Sequence, residues 1–313
     1  MGDLSAPPFL LGSRIHLPYP ATMKIPRCPR LHLIPTIAGL AIGSGLTCSA
    51  DLVALWQFEE TSGTPVADSV SSLTLNLTDG PNLNVTGKNG SGVDFSTDGP
   101  NAGRLTTGGA AAHAATQQTG DFSILTWYKP TSGDLANNFA RIIDSSSNNS
   151  GITTGYRIFT GGAAQTDRIR FLAAGAPNTD ITHTRALTAD VWSLIALRYD
   201  TDGLASLTIL HESDTVDDAF VTTQTQTTAA NGAITYSAGE NTNFGSMDTP
   251  TLDSNDIEGV LDDAAFFDHL LSDAEISLAF NSGAATFLVP EPSSLALLGF
   301  GGLALARLRR KKK

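Results

Sequence analysis

Short apolar runs alternate along the chain with segments rich in Gly, Asn, Asp, Ser and Thr, a pattern typical of many short strands joined by turns. In the run 168–172, Ile169 and Phe171 fall on one face and two arginines on the other, as a half-buried strand requires. The run 191–199 is apolar on both faces, which indicates a central strand. The predicted strands are 52–58, 122–129, 140–144, 156–160, 168–172, 191–199, 204–211 and 260–267. This spacing predicts an all-β fold, a sandwich of two sheets.

One helix is predicted close to the end of this strand-rich region. Ser272 and Glu275 have the spacing of a capping box, in which each side chain bonds the other residue's backbone N–H. The helix is expected to run to about residue 280, where Asn281-Ser282-Gly283 is a favourable C-terminal signal. The Thr- and Gln-rich stretch 222–228 is predicted to be an exposed loop or edge.

The last residues of the chain combine three features in order. Pro290-Glu291-Pro292 precedes an apolar run at 293–306, and a basic cluster at 307–313 follows. This arrangement resembles the PEP-CTERM sorting signal of Gram-negative bacteria. The resemblance implies that exosortase, a membrane protease, recognises Pro290, Glu291 and Pro292 and removes the tail. The alternative is a permanent C-terminal anchor.

The apolar run is short for a membrane segment. Its 14 residues make a helix of roughly 21 Å, against a hydrocarbon core of about 30 Å. The run therefore spans a bilayer only if the bilayer thins or the flanking arginines snorkel. The basic cluster is expected to stay cytoplasmic, which puts Pro290-Glu291-Pro292 at the outer face. We expect transient insertion into the inner membrane through this segment, and we assign 286–313 to the sorting signal.

The N-terminal region carries a second targeting signal. Met23 is followed by three basic residues, an apolar run at 31–46 and small residues up to Ala50, which is the pattern of a signal peptide at 23–50. Cleavage after Ala50 leaves Asp51 as the mature N-terminus. A lipoprotein signal at Cys48 is the alternative, although the preceding residues match a lipobox poorly. Residues 1–22 are interpreted as an extension upstream of the start site. Together the two targeting signals predict export through the inner membrane to the extracellular space or the cell surface.

The net charge changes once the signal peptide and the C-terminal sorting signal are left out. The chain has 19 Lys and Arg against 31 Asp and Glu; residues 1–50 hold four of the basic residues and one acid, and residues 293–313 hold six basic residues and no acid. Residues 51–292 therefore keep 9 basic and 30 acidic side chains, a net charge of −21. Such a surface repels nucleic acid and anionic lipid. Both cysteines, Cys28 and Cys48, precede Asp51, so the mature segment has no disulfide.

Four motifs appear in order between residues 51 and 283. They are Leu55-Trp56-Gln57-Phe58-Glu59-Glu60, the run Phe122 to Tyr128 with its Phe-x-Ile-x-x-Trp spacing, the run Trp192 to Tyr199, and the run Ile257 to Asp263 leading to Leu271-Ser272-Asp273-Ala274-Glu275-Ile276. Together they resemble laminin-G-like, concanavalin A-like domains. The resemblance implies a jelly-roll sandwich of two antiparallel sheets over 51–285.

The same resemblance implies a structural metal ion. Domains of this family often hold one Ca²⁺ at the edge of the sandwich, with acids near the first strand and the last. The matching residues are Glu59, Asp68, Asp262 and Asp263, and carboxylates are suitable ligands for calcium. The alternative is that strand alternation points only one of Asp262 and Asp263 inward and leaves Glu59 and Asp68 in solvent.

Catalytic motifs are not evident in the sequence. Endoglucanases with this fold align carboxylates as Glu-x-Asp-x-x-Glu along one strand, which glycoside cleavage requires, and no such spacing occurs here. His113, His183, His211 and His269 stand alone, without a nucleophile motif beside them. The sequence therefore predicts a protein that is not an enzyme.

Sugar-binding sandwiches use an exposed aromatic platform, for which the candidates are Tyr128, Tyr156, Tyr236 and Phe244. The tryptophans lie in strand motifs and are predicted to be in the core. The leading hypothesis is a secreted or cell-surface, non-catalytic protein that binds a glycan or the extracellular matrix, with an extracellular polysaccharide or surface glycan as its partner. The alternatives are a structural component of an extracellular polysaccharide matrix and, third, a glycan-cleaving enzyme.

Overall fold

The computed structural model describes residues 52–288, with gaps at 64, 72, 79, 97–102, 109, 138, 147–151, 163–164, 176, 216–222, 226–229 and 248–254. The extension 1–22, the signal peptide 23–50, Asp51, the predicted membrane segment 293–306, and Pro290, Glu291 and Pro292 lie outside the described residues. Within the described part of the chain, no helix has the length and apolarity needed to cross a membrane.

Strands are the main regular secondary structure of the described chain. The strands are β1 (Leu52–Trp56), β2 (Val66–Ala67), β3 (Thr74–Thr78), β4 (Asn82–Thr86), β5 (Ser91–Asp94), β6 (Arg104–Thr107), β7 (Phe122–Lys129), β8 (Arg141–Asp144), β9 (Tyr156–Thr160), β10 (Arg168–Ala173), β11 (Thr179–Ala186), β12 (Ser193–Tyr199), β13 (Ser206–His211), β14 (Thr223–Thr225), β15 (Asn243–Phe244) and β16 (Val260–Phe267). The helices are α1 (Ala110–Thr116) and α2 (Asp273–Ser282), with 3-10 turns at Asp134–Ala136 and Ala284–Leu288. All eight predicted strands are present, with bounds that differ by two residues at most.

The strands form two antiparallel sheets. The first sheet runs β14-β13-β12-β7-β16-β5-β4, and β1 also pairs with β16. The second sheet runs β11-β10-β9-β8-β15-β6-β3-β2. The predicted all-β sandwich is confirmed, and its order is consistent with the concanavalin A-like jelly roll. The 222–228 stretch supplies the edge strand β14, as predicted for an edge.

The main core lies between the two sheets. Trp56 of the first sheet meets Phe244 of the second in an edge-to-face contact, with ring centroids 5.7 Å apart, and contacts Phe266 in the same way at 5.8 Å. Such aromatic pairs add about 0.5–1.5 kcal/mol beyond the area that they bury. The prediction that Trp56, Trp127 and Trp192 belong to the core is confirmed, since all three are buried.

A second apolar cluster covers the outer face of the first sheet. There α2 and the turn Ala284–Leu288 pack on residues such as Leu125, Trp127 and Leu194. This cover explains why β7 and β12 are apolar on both faces. The predicted capping box at the start of α2 is present: the Ser272 side chain accepts from the Glu275 N–H, and Glu275 accepts from the Ser272 N–H.

Candidate functional site

The outer face of the second sheet carries a row of mainly polar residues. Antiparallel pairing puts one residue from each of seven neighbouring strands into a single line: Asp180, Leu172, Arg157, Asp144, Asn243, Thr106 and Asn76. The residues that alternate with this row belong to the core, among them Phe171, Ile158 and Phe244. Because side chains alternate across a sheet, the row faces away from the core.

A β-bulge in β8 brings two charged residues onto this face. The pairing of β8 with β9 shifts between Arg141 and Ile143, and both Ile142 and Ile143 pack in the core. Arg141 and Asp144 therefore share the outer face, although residues three apart in a regular strand point to opposite faces. The Arg141 Nε lies 3.2 Å from Oδ2 of Asp144. The Oδ1 of Asp144 accepts from the backbone N–H and the hydroxyl of Ser146.

Part of this outer face forms a groove of about 490 Å³, within the size range of small-molecule sites, roughly 300–1,000 Å³. The lining residues are Phe139, Arg141, Ile152, Arg157, Phe159, Arg170, Leu172, Asn178, Asp180 and Asn255. Phe139 is 38% exposed and stacks on Phe159, with ring centroids 6.0 Å apart. Its φ of 69° is uncommon for a bulky residue. Phe139 is therefore a partly exposed aromatic ring in the groove, and sequence reasoning missed it.

Three arginines dominate the charge of the groove. Arg141 and Arg157 are buried, and Arg170 is half-buried and makes a bidentate bond with Asp180. Burial, with a smaller contribution from the charges of Arg157 and Arg170, lowers the pKa of Arg141 to about 10 against the opposing effect of Asp144. Burial also raises the pKa of Asp144, which both buried arginines oppose. Two buried cations thus share one buried carboxylate.

A second group of charges surrounds the turn between β4 and β5. The Oδ2 of Asp262 accepts from the backbone N–H groups of Lys88 and Asn89, both at 2.7 Å, and its Oδ1 accepts from the N–H of Asp263. A Cβ on Gly87 would lie 2.6 Å from the Asp262 carboxylate, so only glycine permits this approach. Burial and the Asp263 carboxylate raise the pKa of Asp262 to about 8, although three N–H donors favour its ionised form.

Asp263 and Glu59 contact the same turn. Asn89 donates its side-chain N–H to Oδ2 of Asp263 at 2.8 Å, and Ser91 donates its backbone N–H to Glu59 at 3.1 Å. The pairing of β16 with β7 shifts between Asp262 and Ala265. Both aspartates are consequently buried, so the alternation that would have pointed only one of them inward is broken. Burial raises the pKa of Asp263, and the Glu59 carboxylate adds to this rise.

Asp68 has a different set of contacts. Its carboxylate accepts from the backbone N–H groups of Leu55, Val70 and Ser71 and from the Ser71 hydroxyl. These bonds fix the turn after β2 to the first strand. No hydrogen bond or ion pair among the described residues joins Asp68 to the other three predicted ligands, so Asp68 takes no part in the contacts that Glu59, Asp262 and Asp263 make with the turn between β4 and β5.

The four predicted calcium ligands do not form one cluster of carboxylates. The described residues contain no group of three or more His, Cys, Asp and Glu side chains arranged to hold a metal. Two carboxylates nevertheless converge on one turn, and Oδ1 of Asp263 is buried without a hydrogen-bond partner among the described residues. Calcium takes several ligands from backbone carbonyls and water as well as carboxylates. Glu59 and Asp263 therefore fit a calcium ion in part, and the ion stays a prediction.

The four candidate residues for an aromatic platform do not form one. Tyr128, Tyr156 and Phe244 are fully buried, and Tyr236 is partly buried against the core. Tyr156 donates its hydroxyl to the carbonyl of Thr116 in the interior. Tyr128, Tyr156 and Phe244 lie in buried strands, and Tyr236, outside any strand, packs against the core, so none forms a platform.

The histidines are held in structural hydrogen bonds. His211 shares a bond of 2.8 Å with the Ser193 hydroxyl, and its other ring nitrogen contacts the Ala186 carbonyl. Ser193 has no exposed surface, so this pair does not meet a substrate. His113 bonds to the side chain of Asn241.

Two family models match the chain. Residues 101–277 match Laminin_G_3, described as the concanavalin A-like lectin/glucanases superfamily, and residues 288–311 match the PEP-CTERM protein-sorting motif. No curated protein matches the sequence.

Several solved structures share the fold at low sequence identity. Domain 4 of a GH43 extracellular arabinanase from Geobacillus stearothermophilus, in complex with arabinotriose, is 12% identical with a TM-score of 0.50, over 73% of this chain and 98% of that one. The receptor binding domain of botulinum neurotoxin C/D mosaic serotype is 12% identical with a TM-score of 0.51, over 74% of this chain. The binding domain of botulinum neurotoxin DC, in complex with SialylT, is 16% identical with a TM-score of 0.51, over 75% of this chain. The chain spans about half the length of both toxin domains.

Proposed function

Because the chain belongs to the concanavalin A-like lectin/glucanases superfamily and carries a PEP-CTERM sorting motif, we propose that it is an exported surface protein that binds a glycan in the groove of the second sheet. The sorting motif indicates export and C-terminal processing by an exosortase-type protease. The observation that carries the proposal is the groove, in which the exposed Phe139 ring lies beside a row of polar side chains. Sugar ligands need both a ring for stacking and groups for hydrogen bonding.

The proposed activity is binding without cleavage. Glycoside cleavage uses two carboxyl groups that flank the scissile bond, about 5–9.5 Å apart. Asp180, which is bonded to Arg170, is the carboxylate that lines the groove, and Asp144, which is buried next to Arg141, is bonded to Ser146. Both are engaged in holding other side chains. Retention of a glycan by the groove fits this arrangement better than proton transfer to one.

Binding to a panel of immobilised extracellular polysaccharides and oligosaccharides tests the proposal. We expect the mature protein to bind at least one glycan, and Phe139→Ala to weaken that binding roughly two- to tenfold, as a stacking ring contributes about 0.5–1.5 kcal/mol. Leu278→Ala is the matched control, because Leu278 is a similarly exposed apolar residue on α2. Equal loss in both variants, or no binding to any glycan, would refute the proposal.

We also propose that a calcium ion bound by Glu59 and Asp263 stabilises this domain. When bound, the ion supplies positive charge between carboxylates that otherwise repel one another. The Gly87–Gly90 turn, which contacts Glu59, Asp262 and Asp263, already holds these carboxylates close together. Asp262 supports the site by fixing the turn, since both of its oxygens accept backbone N–H groups.

Calcium is expected to raise the melting temperature by about 5–10 °C over that in chelator. A ligand at a hundredfold excess over its Kd stabilises the folded state by about 2.7 kcal/mol, and each kcal/mol is worth about 2–4 °C in a domain of this size. Asp263→Asn should remove the calcium-dependent shift. Asp68→Asn is the control that separates the two roles: it should lower the melting temperature in calcium and in chelator alike. A shift no larger than that from sodium at equal ionic strength would disprove the site.

A further inference from the structure

The groove has the opposite charge to the domain around it. Residues 51–292 carry a net charge of −21 and only nine basic side chains, yet three of those nine, Arg141, Arg157 and Arg170, line this one groove. An acidic protein gains no general attraction for anions from its surface. Three arginines in one groove of such a protein therefore indicate a local preference for an anion.

The buried part of the groove carries more positive than negative charge. Arg141 and Arg157 are 1% and 3% exposed, and Asp144 is the buried carboxylate between them. The Nη1 of Arg141 is buried and has no hydrogen-bond partner among the described residues. A buried cationic donor without a partner is costly. An anionic group in the groove would supply the missing acceptor.

The arginine side chains are held in place rather than free. The Arg141 guanidinium lies 4.8 Å and that of Arg170 lies 5.6 Å from the centroid of the Phe159 ring. Arg170 is also fixed by its bidentate bond to Asp180 at the rim. A guanidinium held in this way presents a planar set of donors that matches a carboxylate or a sulfate. The exposed Phe139 ring beside them suits a sugar.

We infer that the groove binds an acidic glycan, with a carboxylate or sulfate group of the sugar seated among Arg141, Arg157 and Arg170. The inference rests on the proposed function and adds the chemical class of the ligand. The shared chemistry is an oxyanion on a sugar ring, whose source is either a uronic acid or a sulfate ester. Phe139 contacts the sugar ring, and Arg141 donates to the oxyanion through Nη1.

Calorimetry on the mature protein with matched polymers tests this inference. Polygalacturonate is compared with its methyl ester, and dextran sulfate with neutral dextran, since the members of each pair share a sugar backbone and one of them lacks the charged groups. We expect one acidic member to bind at least tenfold more tightly than its neutral partner. Binding of polygalacturonate alone identifies a uronate, and binding of dextran sulfate alone identifies a sulfate.

Arg141→Met is expected to lower the affinity for the acidic polymer at least tenfold. Lys129→Met is the control, because Lys129 belongs to the first sheet and the variant makes the same change of charge. Arg170→Met, at the rim, gives a second readout in case Arg141→Met fails to fold, and should also lower the affinity. Equal binding of acidic and neutral polymers would overturn this inference and leave the proposed function standing. Equal loss in the Lys129 and arginine variants would overturn it as non-specific attraction, and no binding of any glycan would overturn both.

Discussion

Replacing Glu291 by alanine is expected to leave the full-length precursor in the inner membrane. The Pro-Glu-Pro motif is the part of the tail that the processing protease is expected to recognise, and Glu291 is its only charged residue. Proline disfavours helix, so a Pro-Glu-Pro sequence suits a protease that binds an extended chain. Without the carboxylate the apolar run and the basic cluster remain attached. The expected effect is nearly all-or-none, larger than that of any change within the sandwich.

Cell fractionation and intact-mass measurement on the producing strain decide this result. The wild-type extracellular form should begin near Asp51 and end at or near residues 290–292. Ser294→Ala, which lies outside the motif but within the tail, is the control and should be processed normally. An extracellular species that retains Lys313 would contradict the sorting prediction.

Strand positions were predictable because burial leaves a pattern in the sequence. Strand β7 has buried residues on both of its faces, since the core covers one face and α2 covers the other. The alternation in β10 likewise follows its one buried face. The short strands β2 to β6 were missed, because they contain many Thr, Asn and Ser residues that are equally common in loops.

The two candidate sites were less predictable, because each depends on a β-bulge. Strict alternation separates Arg141 from Asp144 and Asp262 from Asp263, and the extra residue in each strand places each pair in one site. Nothing in a single sequence marks where a strand bulges. The glycines at 87 and 90 were the available signal for the acidic turn, since close approach of a carboxylate to the backbone demands them.

The aromatic candidates failed for a related reason. The two-residue alternation of a strand predicts which residues share a face, but it does not say whether that face is covered. Tyr128 and Tyr156 sit in strands that are buried throughout, so their rings became core. Phe139 lies just before β8 in an irregular segment, where no period exists to predict its exposure.

The buried charges beside the groove are expected to make the fold less stable than apolar side chains in their place would. Asp144→Asn should lower the free energy of unfolding by about 3–5 kcal/mol, since removing one partner of a buried ion pair leaves its charge uncompensated. The amide keeps the two bonds from Ser146 through Oδ1, so the change removes mainly the negative charge that faces Arg141. Urea unfolding monitored by tryptophan fluorescence measures the loss.

Arg141→Met should behave in the opposite way. Burial and two neighbouring arginines already disfavour the Arg141 charge, and Asp144 retains Arg157 as a counter-charge. An apolar side chain of similar length is therefore expected to be neutral or slightly stabilising, because Asp144 is not left without a counter-charge. In the double variant the loss should be smaller than in Asp144→Asn alone, because the cation that lacked a partner is gone. If Asp144→Asn instead has the same midpoint of urea unfolding as the wild type, water reaches these charges and the groove does not hold them desolvated. A variant that is more stable and binds no acidic glycan would identify the arginines as retained for recognition.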